Sequence, residues 1–227
     1  MKKHALICKL LYKLDSEHSR TNMLDMLKYL QFREDHNQLA PAVGWDRWID
    51  RGLGKHYAAI SKSLEQLAGD QTNRDEVLLR MMVMSPHPDL MKQLSPSRRR
   101  RALHQITQAM MENYFTSQDM SVPEYSYVIH DPKQENGEQR LHSHVVFPAT
   151  TPDIDGRRHY NLRRKQMAHF HQERDRTITQ VLSRYLGHEQ VIELDRNLLT
   201  AAQKREREKA LAIPNDIYDL NQWFDMS

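Results

Sequence analysis

The run Glu76-Val77-Leu78-Leu79-Arg80-Met81-Met82-Val83-Met84, closed by Ser85-Pro86-His87-Pro88, limits the fold more than any other stretch of this sequence. Its nearly continuous apolar side chains predict a buried, central strand, and the prolines, which lack an amide donor, end it. It is far shorter than the roughly 20 residues a bilayer span requires, and no other apolar stretch approaches that length. Such a strand needs neighbours. His4 to Leu14 is apolar and strand-like, suited to the centre or the edge of a sheet. Val122 to His130 alternates toward Tyr125, Tyr127 and Ile129, and Leu141 to Phe147 forms a second short strand. Between these two, Asp131-Pro132-Lys133-Gln134-Glu135-Asn136-Gly137-Glu138 is polar and rich in turn formers, which predicts an antiparallel hairpin.

Helical patterns fill much of the remainder. Thr21 or Asn22 caps a helix whose Met23, Leu24, Met26, Leu27 and Leu30 make a broad apolar stripe, and Tyr29 sits on this helix. From Phe32 to Gly54 the chain is polar, aromatic and irregular, with Trp45 and Trp48, and a shorter helix is expected from Lys55 to Leu67. Ser95-Pro96 sets a capping hydroxyl before a proline at the first helical position, starting a helix that runs to about Ser117. A further helix is predicted from Leu162 to Leu186, broken at Gly187, then another through Ala210 and a polar tail. The expected fold class is α+β, a central and mainly antiparallel sheet packed with helices, with a helical C-terminal appendage. No repeat or linker divides the chain, so 1–186 is read as one domain and 187–227 as its helical extension and tail.

The single cysteine, Cys8, excludes a disulfide framework and any multi-cysteine zinc site, which fits a reducing compartment. With no signal pattern in the first residues, the chain is expected to be cytoplasmic, without membrane insertion. A net charge of +3 decides little by itself, but its distribution is uneven. Arg98, Arg99, Arg100 and Arg101 form one basic block, and Arg157, Arg158, Arg163, Arg164 and Lys165 form another. Two such patches suit a polyanion, and each alone is equally the pattern of a solvated helix face.

Side chains on a strand alternate between faces, so His142 and His144 project to the same side, roughly 7 Å apart along the backbone. The neighbouring strand ends in His130, and a hairpin joining 130 to 142 brings a third imidazole beside the pair. Three histidines on adjacent strands make a facial site with positions left open for a substrate oxygen. Because Val145, Val146 and Phe147 follow directly, the pair belongs to a core strand, where an imidazole without a partner is costly to bury.

Tyr127-Val128-Ile129-His130-Asp131 followed by His142-Ser143-His144-Val145-Val146 resembles the third motif of conjugative relaxases in the H-U-H endonuclease superfamily, especially the plasmid-mobilisation and T-DNA border-nicking branch. Leu27-Lys28-Tyr29-Leu30-Gln31-Phe32-Arg33 resembles that family's tyrosine helix, and the order of elements is similar over about residues 1 to 185. The resemblance implies that His130, His142 and His144 hold a divalent cation, Mg2+ or Mn2+, and that Tyr29 attacks DNA, with Tyr57, Tyr125 and Tyr127 as lesser candidates. Asp131 is placed either to orient a histidine through its second ring nitrogen or to cap the hairpin turn, and on such a substrate Arg33, Arg98, Arg99, Arg157, Arg158, Arg163, Arg164 and Lys165 are expected to contact DNA. The expected substrate is single-stranded DNA at an origin of transfer with an adjacent hairpin, and accessory DNA-binding and coupling proteins are the implied partners. Eleven residues separate the first histidine from the pair, more than the family's usual few, which leaves Glu138 as an alternative third ligand. Other readings are a rolling-circle initiator or transposase of the same superfamily, an accessory DNA-binding protein without catalysis, and a histidine-metal hydrolase of small substrates.

Overall fold

The apolar run folds into a strand, Val77–Pro86, with another strand on each side of it. The computed structural model describes residues 6–14, 17–32, 47–68, 77–131, 141–152, 158–161 and 166–194. In chain order the elements are β1 (Leu6–Leu14), α1 (Glu17–Phe32), β2 (Ile49–Arg51), α2 (Tyr57–Ala68), β3 (Val77–Pro86), α3 (Pro88–Lys92), α4 (Pro96–Thr116), β4 (Tyr125–His130), β5 (His142–Pro148), β6 (Thr150–Pro152), β7 (Arg158–Tyr160) and α5 (Met167–Leu186). Five strands make an antiparallel sheet in the order β1-β3-β5-β4-β2, and β6 and β7 make a separate two-stranded ribbon. β3 is therefore interior but one place from the edge, β1 takes the edge, and β5, the strand of the histidine pair, lies at the centre.

Register decides what each face carries. Val128 lies opposite His144, Ser126 opposite Val146 and His130 opposite His142, so these six side chains share one face. On that face Leu79, Met81, Val128 and Val146 pack against Met23, Leu27 and Leu30 of α1, Ile60 and Leu64 of α2, and Trp48. The other face presents Tyr125, Tyr127, Ile129, Val145 and Phe147 to a second core that includes Leu103, Ile106, Met110 and Phe115 of α4 and Phe170, Val181 and Leu182 of α5. The result is the expected α+β architecture, a sheet between two helical layers. The histidines stand at one end of the apolar face that α1 and α2 cover.

Trp48 is 2% exposed and belongs to the core, as expected of at least one of the two tryptophans, while Trp45 lies outside the described residues. Other details depart from expectation. β2, β6 and β7 have three residues each, too short for an alternating pattern to emerge from the sequence. Ser95 stands at the N-cap of α4, but its hydroxyl makes no capping bond and lies 3.5 Å from that of Ser97. α5 begins at Met167, five residues later than predicted, and ends before Gly187, whose φ of 86° L side chains rarely adopt. Beyond that break, Val191 is buried in the same core as α4 and α5. Residues 195–227 lie outside the described residues, and with them most of the expected C-terminal helix. Among the described residues no helix is long and apolar enough to cross a membrane.

Candidate metal centre

All three predicted histidines come together. The hairpin register sets His130 directly across from His142, and His144 follows two residues along the same face. Ring centroids are 5.4 Å apart for His130 and His142, 5.1 Å for His130 and His144, and 5.0 Å for His142 and His144, a nearly equilateral triangle. Each residue is at most 8% exposed. Each offers one nitrogen, and the three nitrogens lie within 4.8 Å of one another. Nitrogens bound to one cation at the usual ~2.1 Å stand roughly 3 to 3.5 Å apart, a closure that small imidazole rotations supply. The donor set thus fits a divalent cation through His130 without a carboxylate, and Glu138, the alternative ligand, lies outside the described residues.

The tyrosine helix ends at this triangle. His130 Nε2 lies 2.7 Å from the Leu30 carbonyl oxygen, in a buried contact. A carbonyl only accepts, so Nε2 carries the proton and donates in this contact. Bonds of this kind fix the tautomer and ring orientation of metal-binding histidines. Leu30 is the residue after Tyr29, whose side chain is 46% exposed, so the backbone that carries Tyr29 adjoins the carbonyl that anchors His130. The next residue, Gln31, is 1% exposed, and its Oε1 accepts the Tyr57 amide at the start of α2 over 2.7 Å. The Phe32 and Tyr57 rings meet edge to face at 6.1 Å. A tight loop delivers Tyr57 to this point: Asp50 Oδ1 accepts the amides of Gly52 and Gly54, both over 2.8 Å, and Ser126 Oγ donates to the Gly54 carbonyl.

Sequence reasoning missed Gln31, although a signal existed. Met23, Leu27 and Leu30 mark the buried stripe, and position 31 is the next place on it, so an amide there requires a partner. Two of the other candidate tyrosines separate clearly from Tyr29. Tyr125 and Tyr127 lie on the opposite face of the sheet, and burial is the main cause that raises both of their pKa values, making each a poor source of phenolate. Tyr127 accepts a bond from Gln108 Nε2 at 2.7 Å and lies 3.1 Å from His104 Nδ1.

Asp131 follows His130 directly and is half-buried. Among the arginines of α4, Arg98, Arg100 and Arg101 are exposed, whereas Arg99 turns back to donate to the carbonyls of Leu94 and Lys92 at 2.8 and 3.5 Å. Thr107 of α4 bonds Ser143 at 2.8 Å, and Phe115 meets Phe147 further along. The first turns of α4 therefore extend past Ser143 toward the histidine end of the sheet. Arg33, Arg157, Arg163, Arg164 and Lys165 lie outside the described residues, as does the side chain of Arg158.

No family model matches the sequence, and no curated protein matches it. Solved structures do. The conjugative relaxase TrwC in complex with oriT DNA, in a metal-bound structure, superposes with a TM-score of 0.50 at 12% identity, covering 94% of this chain and 88% of that one. TrwC in complex with mutant oriT DNA gives a TM-score of 0.52 at 12% identity, covering 95% and 87%. The chain therefore has the fold of a conjugative relaxase, and at such identity the likeness is one of fold.

Proposed function

We propose that this chain is a DNA relaxase that nicks one strand of DNA by metal-dependent tyrosine transesterification, with residues 1–186 as its nicking domain. One observation carries the reading: the buried three-histidine triangle is hydrogen-bonded, through His130 and Leu30, to the helix turn that presents Tyr29. The fold shared with TrwC, which was solved on oriT DNA, supports the same reading.

In this reading His130, His142 and His144 would hold the cation. A bound divalent cation polarises the phosphoryl oxygens and orients the phosphate for in-line displacement. Nitrogen donors favour a first-row transition cation over Mg2+, so Mn2+ is the better fit of the two expected metals. The Tyr29 oxygen attacks the scissile phosphorus, the bond to the DNA 3′ oxygen breaks, and that fragment leaves with a free 3′-hydroxyl. The phenolic proton passes to solvent or to a neighbouring base, and Tyr29 remains joined to the 5′ phosphate of the downstream fragment. The phosphodiester is exchanged rather than hydrolysed, so the reverse attack reseals the strand without a nucleotide cofactor. Asp131 orients a ligand histidine. Arg98, Arg100 and Arg101 neutralise phosphates beside the nick, and the basic residues Arg33, Arg157, Arg158, Arg163, Arg164 and Lys165 extend that interaction. The substrate is single-stranded DNA at an origin of transfer with its adjacent hairpin, and accessory and coupling proteins assemble around the complex.

The test uses a pool of single-stranded oligonucleotides of randomised sequence, labelled at the 3′ end, incubated with the protein and Mn2+. A denaturation-resistant labelled protein band is expected from the native chain, and none from Tyr29→Phe or after chelation. Equal labelling of Tyr29→Phe would remove Tyr29 as the nucleophile.

A further inference from the structure

We propose that Gln31 is the positioning residue for the Tyr29 nucleophile, acting through the last turn of α1; this rests on the relaxase reading above. Tyr29 is 46% exposed, so the surrounding core does not fix its phenol by packing. The backbone that carries it therefore helps to set where the phenol stands. Two of the three residues that follow are tied by polar bonds and the third by a ring contact. The Leu30 carbonyl accepts from His130 at 2.7 Å, the Gln31 Oε1 accepts from the Tyr57 amide at 2.7 Å, and the Phe32 ring packs on the Tyr57 ring at 6.1 Å. The first tie joins the turn to the metal-binding strand, and the other two join it to α2.

These ties are not equivalent. The Leu30 bond links the turn to the cation but leaves it able to pivot about one hydrogen bond. Gln31 supplies the second polar point, and two points on successive residues set the helix end's rotation as well as its height. Because Gln31 is 1% exposed and accepts the first amide of α2, an N–H with no partner inside its own helix, the bond also satisfies a donor that α2 cannot satisfy itself. A small pivot matters to the chemistry: misplacing a reacting atom by about 1 Å can cost on the order of a hundredfold in rate.

Two substitutions at Gln31 test this. Gln31→Met preserves length and removes the acceptor, whereas Gln31→Glu preserves the acceptor and adds a charge that a helix N-terminus favours. The single-turnover rate of adduct formation is measured on the 3′-labelled oligonucleotide pool at saturating protein and Mn2+, beside Mn2+ affinity by calorimetry and DNA affinity by anisotropy. Gln31→Met is expected to slow the rate roughly 10- to 100-fold with both affinities within about twofold of native, and Gln31→Glu to recover to within a few-fold of native. A native rate in Gln31→Met overturns the proposal, as does equal slowing in both variants or a loss of affinity that accounts for the slower rate. If Gln31→Met fails to fold, Tyr57→Pro removes the same bond from the donor side at a helix position that tolerates proline, with Tyr57→Ala as the control that keeps the amide. A slower rate in the proline variant supports the proposal, and equal rates in the two overturn it. The native chain and Tyr29→Phe run alongside: no adduct from the native chain would refute the relaxase reading itself, and an adduct from Tyr29→Phe would remove Tyr29 as the nucleophile, both outcomes distinct from any result at Gln31.

Discussion

Two tyrosines on opposite faces of the sheet should respond in opposite ways to loss of a single hydroxyl. Tyr127 is fully buried, with its oxygen 2.7 Å from Gln108 Nε2 and 3.1 Å from His104 Nδ1. Each such bond contributes a net ~0.5–1.5 kcal/mol. Gln108 and His104 are only half-buried and regain some hydration when the hydroxyl goes, so Tyr127→Phe should cost about 1–2 kcal/mol. For a chain of this size that lowers Tm by roughly 2–8 °C. Tyr29, at 46% exposure, should change stability by no more than about 0.5 kcal/mol when its hydroxyl is removed. Thermal melts by circular dichroism, paired with adduct formation measured well below both transitions, separate the two. Tyr127→Phe should melt early yet form adduct at close to the native rate, and Tyr29→Phe should melt normally and form none. An unchanged Tm in Tyr127→Phe would refute the energetic reasoning about the buried network, and loss of adduct in that variant would refute the assignment of faces.

Replacing a ligand should act on the metal: His144→Ala is expected to weaken Mn2+ binding more than the 10- to 100-fold typical of losing an outer partner, as read by calorimetry. The exposed arginines should act through salt. Replacing Arg98, Arg100 and Arg101 together should lower the slope of log affinity against log salt by about 0.7 for each phosphate no longer neutralised, while Arg99→Ala should leave the slope unchanged and lower Tm, because its guanidinium holds the Leu94 and Lys92 carbonyls. His104 has a pKa lowered first by burial and then by Arg100. As pH falls through about 6.5 the unfolded chain takes up this proton before the folded one, so stability is lost on acidification, and denaturant titrations of His104→Gln should show a smaller loss over pH 7 to 5. Gly54 has a φ of 128°, and an added Cβ would stand 2.9 Å from that of Ala59. Gly54→Ala should therefore cost more than ~1 kcal/mol in equilibrium unfolding.

Much of this arrangement is legible in the sequence because two periodicities carry it. Alternation places His142 and His144 on one face, and the 3.6-residue stripe of Met23, Leu27 and Leu30 fixes which side of α1 is buried, so the histidine pair and the helix that carries Tyr29 follow from pattern, whereas the place of His130 beside the pair depends on the hairpin register. What escapes is non-local or short. β2 is only three residues long, and its pairing with β4 depends on a partner more than 70 residues away. The bonds from His130 to Leu30 and from Tyr57 to Gln31 join residues 100 and 26 positions apart, and no local pattern encodes them. Arg99 is indistinguishable from its three neighbours in a run of arginines, although it alone bonds backbone carbonyls among the interactions described.

The position of the covalent link tests the central claim most directly. Native protein would be reacted with the single-stranded oligonucleotide pool and Mn2+, digested with nuclease and protease, and its peptides mapped by mass spectrometry. The account predicts a nucleotide phosphate on the peptide containing Tyr29, on the phenolic oxygen. A modified Tyr57, Tyr125 or Tyr127, or cleaved DNA with no modified peptide, would contradict it.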